Sequence, residues 1–259
     1  TTGQIAKLLW PGLNARWGAS YTEHPREYTD LVDVESSDKA YEEDQEMTGF
    51  GLAPIKPQGQ SVVYDTAQQG LTSRYTHIAY ALGFIITHEA LKDNLYEKIG
   101  MQRTGSLAFS MRQTKENVVA NLYNRAFNGS YNGADGTTMI STAHPTLVGN
   151  QSNRLAVDAD LSEASLEDIC IQSMGLQTDR GLLVSIMPQS LHIPRQEWFN
   201  ANRILKSVMQ PDSASNNINV LKATNAFPKG LKLNHYFTSP HAWFVRTNCP
   251  NGMRLFWRE

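Results

Sequence analysis

Residues 95–127 read LYEKIGMQRTGSLAFSMRQTKENVVANLYNRAF and have the composition of one long helix. Ala108, Met111, Val118, Val119, Leu122 and Ala126 recur at the three- or four-residue spacing that lines up one helix face. Arg112, Lys115 and Glu116 supply the wet side. At 1.5 Å per residue such a stretch makes a rod of roughly 45 to 50 Å, well above ordinary helix length. Gly100 and Gly105 are expected to break its first turns. Asn128-Gly-Ser130 ends it, and the turn-rich Asn132–Gly136 leads to a short strand at Thr138–Thr142.

Upstream, Thr87 has the form of an N-cap, with Glu89 and Ala90 opening a turn. From Arg74 to Ile86, the apolar Ile78, Tyr80, Leu82, Phe84 and Ile86 alternate with His77, Ala79, Ala81 and Gly83, which predicts a half-buried strand. Together with the β-formers of Ser61–Thr66 and the Pro/Gly-rich Pro54–Gly59, it predicts strands around a projecting tip over Met47–Thr87. About twenty residues per limb at roughly 3.3 Å each project some 60 Å. Further upstream, Asp30, Asp33, Glu35, Asp38, Glu42, Glu43, Asp44 and Glu46 face only Lys39, the pattern of a solvated arm. Leu8, Leu9, Trp10, Leu13 and Trp17 form an apolar knot too small to fold alone, which needs a surface to lie on.

Downstream, Asp160-Leu-Ser162 starts another helix, with Leu166, Ile169, Cys170 and Met174 on one side and Asp179-Arg-Gly181 as its stop. A strand at Leu182–Met187 and a helix opened by Pro194, containing Trp198, Phe199, Ile204 and Leu205, make a βα unit. After the polar loop Gln210–Asn217 come strand-like pieces near Val220, at Gly230–Phe237 and at Ala242–Arg246. Asn251-Gly252 turns into a last pattern, Met253–Arg258.

The 259 residues suffice for one large domain or two modest ones, and 41% hydrophobic against 19% charged residues excludes a disordered chain. A formal net charge of -2 carries no basic excess of the kind that marks a whole protein as a nucleic-acid binder. Charge is nevertheless uneven, because residues 1–50 hold ten acids and four bases. Cys170 and Cys249 lack metal-ligand spacing, which fits a reducing compartment or core filler. The longest nearly apolar run, Ile78–Ile86, is far short of the roughly 20 residues a bilayer needs, so the expectation is a soluble, cytosol-made protein without a membrane partner.

Catalytic signatures are missing. No phosphate loop, dinucleotide fingerprint or nucleophile elbow occurs. His88-Glu89-Ala-Leu-Lys92 approaches a zinc-hydrolase motif, but Lys92 stands where the second imidazole must coordinate. The residues therefore nominate no catalytic group, no metal ligand and no cofactor. A triad assembled from distant segments stays open to a monomeric hydrolase.

Several phrases in order resemble the major capsid proteins of tailed bacteriophages, the Mu-like major head subunit group with the Hong Kong 97-type fold. They are Tyr64-Asp-Thr-Ala-Gln-Gln-Gly70, Arg74-Tyr-Thr-His77, Phe109-Ser-Met-Arg-Gln-Thr-Lys-Glu116, Ser141-Thr-Ala-His-Pro145, Asp179-Arg-Gly181, Arg203-Ile-Leu-Lys-Ser207, Asn234-His-Tyr236 and Asn248-Cys-Pro-Asn-Gly-Met253. Their number and order, spanning nearly the whole chain, carry the resemblance. It implies an α+β chain divided into an N-terminal arm (1–44), an E-loop hairpin with its base (45–86), a peripheral domain on a spine helix (87–159), an axial domain (160–247) and a return segment toward the peripheral domain (248–259). Relatives continue with further strands after that segment, so the chain is expected to lack them or to be a shortened form.

The function implied is structural. Copies tile as hexamers and pentamers into an icosahedral-type shell around double-stranded DNA, which the inner face contacts without sequence specificity. The protein is then expected in the virion capsid, made in the bacterial host cytoplasm, with portal, scaffold and decoration proteins as further partners. A cellular compartment shell of the same fold is the nearest alternative. Phe50, Leu52, Ile55, Lys56, Val62, Val63 and Tyr64 on the hairpin are the candidate contacts with a neighbouring subunit, since the hairpin offers little local core to cover them. The acidic run at its base is expected to meet Arg103, Arg112 or Lys115. Pro211, Asp212, Asn216 and Asn217 are the candidate loop at the capsomer axis. In some members of the fold a lysine placed like Lys56 bonds covalently to a neighbour's Asn; most relatives do without that bond.

Overall fold

A computed structural model describes residues 2–86, 96–210 and 217–258. In chain order the elements are α1 (Thr2–Thr22), α2 (Tyr28–Leu31), β1 (Asp33–Ser36), β2 (Tyr41–Met47), β3 (Gln69–Thr76), α3 (Tyr96–Asn124), β4 (His144–Thr146), β5 (Gly149–Gln151), α4 (Glu163–Met174), β6 (Pro188–Pro194), α5 (Trp198–Lys206), α6 (Val220–Ala223), β7 (Leu231–Asn234), β8 (Phe244–Thr247) and β9 (Arg254–Trp257). The architecture is mixed helix and strand. The Thr87 cap and the His88–Lys92 motif fall outside the described residues.

Helix α3 runs unbroken for 29 residues, through both glycines. Neither breaks it, because each is where α1 crosses. A Cβ on Gly100 would sit 3.5 Å from Leu13 Cδ2, and one on Gly105 would sit 3.4 Å from Ser20 Oγ, so the missing side chains let the two helices approach. Helix α1, where the sequence named only an arm, thus lies on α3, with Leu13 of the N-terminal knot against Gly100; the side chains of Leu8, Leu9 and Trp10 fall outside the described residues.

The buried stripe of α3 is also rotated from the expected one. Leu122 is exposed, whereas Arg112 (1% exposed) and Glu116 (2%), both assigned to the wet side, are buried. Their burial has a purpose in the chain path. Glu116 accepts the backbone N–H groups of Tyr28 (2.8 Å) and Glu27 (3.3 Å), and Arg112 lies 3.5 Å from its carboxylate with its guanidinium 5.5 and 5.7 Å from the ring centres of Tyr21 and Tyr28. The pair pins the link between α1 and α2 to the middle of α3. Burial pushes the Glu116 carboxyl up, against the pull of those N–H groups and of Arg112.

Two apolar clusters form the body. Beneath α3, Val119, Ala120, Tyr123 and Ala126 pack on Tyr28, Leu31, Val32, Phe237 and Phe244. Tyr123 donates its hydroxyl to the Leu31 carbonyl at 2.8 Å, and burial pushes its pKa up to about 12. The second cluster joins Leu166 and Cys170 of α4, Leu191 and Ile193 of β6, Ala201 and Ile204 of α5, and Leu221 and Phe227. Its sheet runs β7-β6-β8, with β6 parallel to β7 and antiparallel to β8. Ser162 caps α4 as expected, through a reciprocal capping box with Ser165. Strand β9 pairs in parallel with β1, from Asp33↔Arg254 to Ser36↔Trp257.

Five expected strands change. β3 ends at Thr76 because its partner β2 begins opposite, at Tyr41; beyond that the backbone is unpaired, so no strand reaches Ile86. Ser61–Thr66 is loop for the same lack of a partner. Thr138–Thr142 makes only an isolated bridge, Asn132↔Thr138, while Met139 and Ile140 tuck against the first cluster. Leu182–Met187 gives way to Pro188–Pro194, the stretch that β8 pairs with. The piece near Val220 is helical, since Asn219 accepts the Lys222 N–H and caps a turn.

Candidate functional site

The hairpin rises from the acidic run. Strand β2, YEEDQEM, pairs antiparallel with β3 from Tyr41↔Thr76 to Met47↔Gln69, with a bulge between Gln45 and Met47. Basic residues answer the acids from neighbouring strands. Glu43 pairs with Arg74, whose guanidinium lies 4.4 Å from the Tyr41 ring centre. Asp44 and Glu35 meet Arg254, Asp33 meets Arg246, and Asp30 meets Lys232 at 3.1 Å. Glu42 accepts from the Ser37 hydroxyl at 2.7 Å and from Lys39, bonds that hold its carboxyl below the usual range.

Six of the eight acids, all but Asp38 and Glu46, are therefore paired with a cation, and the run is not a bare solvated arm. Arg103, Arg112 and Lys115 are engaged elsewhere: Arg103 with the Ile85 carbonyl, Arg112 with Glu116, and Lys115 over the Trp257 ring at 3.3 Å. Strand pairing decides the matter, because β1–β9 and β2–β3 place Arg254 and Arg74 directly beside the acids.

Above Met47 the ladder stops. Thr48 and Gln68 close the last rung, with the Thr48 hydroxyl and amide both donating to the Gln68 carbonyl. Asp65 accepts the Gly51 N–H and the Thr66 N–H, each at 2.9 Å, and these hold its carboxyl below the ordinary range. A turn at Pro57–Gln60, with Gly59 at φ 83°, makes the tip.

All seven hairpin candidates are exposed: Ile55 is 95% accessible, Tyr64 90% and Leu52 84%, with Phe50, Val62 and Val63 each above half, and Lys56 lies open at the tip. Of the face read in the sequence as half-buried, Ile78, Tyr80 and Leu82 are exposed and extend the same uncovered apolar surface, as does Ile85 from the other side of the alternation, while Phe84 and Ile86 are half-buried. Of the axis-loop candidates, Asn217 is exposed and its carbonyl accepts the Gln210 N–H at 2.9 Å; Pro211, Asp212 and Asn216 fall outside the described residues. Arg180 was legible only as part of a turn, yet it touches the hairpin at Gly49, Asp65 and Thr66.

Three hydroxyl–imidazole contacts resemble parts of a hydrolase and lack its geometry; in the first, Ser37 lies 3.2 Å from His77 Nε2 but donates its hydroxyl to Glu42. Thr137 Oγ1 and Asp135 Oδ2 both approach the same His144 Nδ1, at 3.0 and 2.6 Å, so the ring cannot relay a proton from one to the other. Burial raises the Asp135 carboxyl, but the bonds from Thr137 and His144 more than offset it. Ser190 lies 2.9 Å from His192 Nε2 inside the body, where His192 is buried and its pKa is pushed down to about 4. A cleft of about 1080 Å³ between the clusters is lined by Phe127, Arg154, Trp243 and Phe244 among others, and there Arg154 pairs with Asp158. Among the described residues no helix is long and apolar enough to cross a membrane.

The phage capsid protein family matches residues 70–254, most of the chain. The chain belongs to that family. No curated protein matches it. Among solved structures, this capsid protein is similar to the bacteriophage JBD30 capsid, with 14% identity, a TM-score of 0.63, and coverage of 83% of this chain and 92% of that one. The same phage's capsid decorated with minor capsid protein trimers gives 12% identity, a TM-score of 0.59 and the same coverage. Its procapsid gives 14% identity and a TM-score of 0.54 over 91% of this chain and 98% of that one. Family and fold together make this a structural protein of the phage capsid shell, with α3, the strand pairs and the two clusters as the body from which the hairpin projects.

Proposed function

We propose that this capsid protein is a major head subunit of the Mu-like group with the Hong Kong 97-type fold. Its arm, E-loop, peripheral and axial domains and return segment then occupy 1–44, 45–86, 87–159, 160–247 and 248–259. Copies assemble as hexamers and pentamers into a shell made in the host cytoplasm and filled with double-stranded DNA. Portal, scaffold and decoration proteins complete the list of partners. The observation that carries the proposal is the exposed apolar set from Phe50 to Tyr64 on a loop with no ladder. An isolated hairpin is marginal in water, and a surface of this kind on a shell protein marks the place where the next subunit lies. The Asn217 loop lines the capsomer axis, and Lys56 makes a non-covalent contact.

Deleting Pro54–Gln60 together with Val62→Asp tests it. The expected result is a soluble, folded subunit that elutes near 29.0 kDa and forms no capsomers. Normal particles from that variant overturn the proposed contact. Wild-type particles are expected to carry the ultraviolet absorbance of packaged nucleic acid, and a protein-filled shell points instead to a cellular compartment.

A further inference from the structure

Arg180 stands on a turn that is itself built into the body. Thr178 accepts the Gly181 N–H at 2.9 Å and exchanges bonds with Leu182, and Gly181 takes φ 78°. A Cβ at Gly181 would lie 3.5 Å from Val148 Cγ1, so the turn sits closely on the β4–β5 connection. Gln151 of β5 ties it further, donating to the Gln177 carbonyl at 2.8 Å and accepting the Gln177 N–H at 3.4 Å. From this anchored position the guanidinium reaches both limbs of the hairpin. Its Nε donates to the Gly49 carbonyl at 3.1 Å on the outgoing limb. Its Nη2 donates to the Thr66 carbonyl at 3.0 Å and to Asp65 Oδ1 at 3.1 Å on the returning limb. Asp65 in turn holds the Gly51 N–H, so one planar cation gathers four points of the hairpin just above its last ladder pair.

We propose that the Thr178–Gly181 turn is a clasp that sets the direction of the hairpin, with Arg180 as the positioning residue. Among the described residues, Arg180 is the one body side chain that hydrogen-bonds to the 48–68 loop, which has neither a ladder nor apolar cover of its own. The fork geometry of a guanidinium suits three acceptors in different directions, which a lysine ammonium on a flexible stem does not hold together. The clasp aims the uncovered apolar surface before a neighbour arrives, which lowers the ordering cost of association. This last role rests on the hairpin being the contact between subunits, as proposed above.

Hydrogen exchange of the free subunit, read at the Gly51 and Thr66–Gln68 amides, tests the clasp. Arg180→Ala and Asp65→Ala are each expected to speed exchange there by about tenfold or more while α3 and β6 keep theirs, and Arg180→Lys is expected to restore protection only in part. Assembly of Arg180→Ala is expected to be slower at equal concentration. Unchanged exchange at these amides in Arg180→Ala overturns the clasp. Faster exchange with normal assembly upholds the clasp and overturns the hairpin as the inter-subunit contact.

Discussion

Helix α3 and the 48–68 loop both carry strings of large apolar residues, and they treat them oppositely. In α3 the 3.6-residue period finds its cover within the chain: Val119, Ala120 and Tyr123 are buried against Tyr28, Leu31 and Phe244. In the loop, Ile55 and Tyr64 are almost fully accessible. Periodicity reports which face an element turns toward a core; it does not report whether that core belongs to the same chain. The regions therefore differ in how they are covered: α3 packs within the subunit and helps hold it together, and the loop is left uncovered by its own chain.

The largest expected effect bears on the first half of that contrast. Arg112→Met leaves the buried Glu116 without its cation and is expected to cost about 3 to 5 kcal/mol in chemical denaturation. Ile55→Ser on the hairpin is expected to stay within about 0.5 kcal/mol of wild type. Equal losses would erase the distinction between body and hairpin.

A slightly smaller effect comes with acid. His192 faces Ser190, Asp30, Arg246 and Lys232, and burial pushes its pKa from 6.5 down to about 4. The unfolded chain then binds the proton more tightly than the folded one. Stability is full above the unfolded value and falls between pH 6.5 and 4, by about 3 kcal/mol from this group. An NMR titration showing His192 protonated near pH 6.5 in the folded subunit contradicts that account.

The smallest effect sharpens the contrast at its seam. Glu46 on β2 faces Asp179, Asp135 with its partner His144, and the Leu71 N–H; the hydrogen bond shared with Asp179 raises its pKa, and burial adds to the rise. The docked hairpin thus holds a proton more tightly than a loosened one would. Docking is favoured below the raised pKa and weakens as pH rises through it, so protection of the Thr66–Gln68 amides, taken relative to the intrinsic exchange rate at each pH, is expected to fall from acid toward neutral pH. In Glu46→Gln that fall in protection is expected to disappear.

The same contrast explains what the sequence made legible. The long helix, the Ser162 cap, the Pro194 helix and the Pro/Gly-rich tip all follow from local period, capping and turn chemistry, whereas the outgoing strand of the hairpin, β2, lies in the acidic run that read as a solvated arm. Where the sequence misled, a long-range partner had decided. The Arg74–Ile86 alternation is real, but no strand lies beside residues 77–86 to make it a sheet. The burial of Arg112 and Glu116 depends on backbone N–H groups almost ninety positions away, which no local pattern records. The hairpin candidates were readable as apolar residues without local cover, whereas Arg180 looked like any turn residue until Gly49, Asp65 and Thr66 were brought to it.

The parallel pairing of β1 with β9 has a consequence in time. Asp33 waits for Arg254, and at about 5 to 20 residues per second the ribosome takes roughly 10 to 45 s to make the chain between them. During that interval β1 presents an unpaired edge in a crowded cell, where it would invite pairing with another nascent chain. Asp33 and Glu35 put negative charge along that edge, and their later partners, Arg246 and Arg254, are translated only near the end of the interval. The acids that join ion pairs in the finished subunit thus serve first as repellents, keeping the edge clear until the strand that fits it emerges.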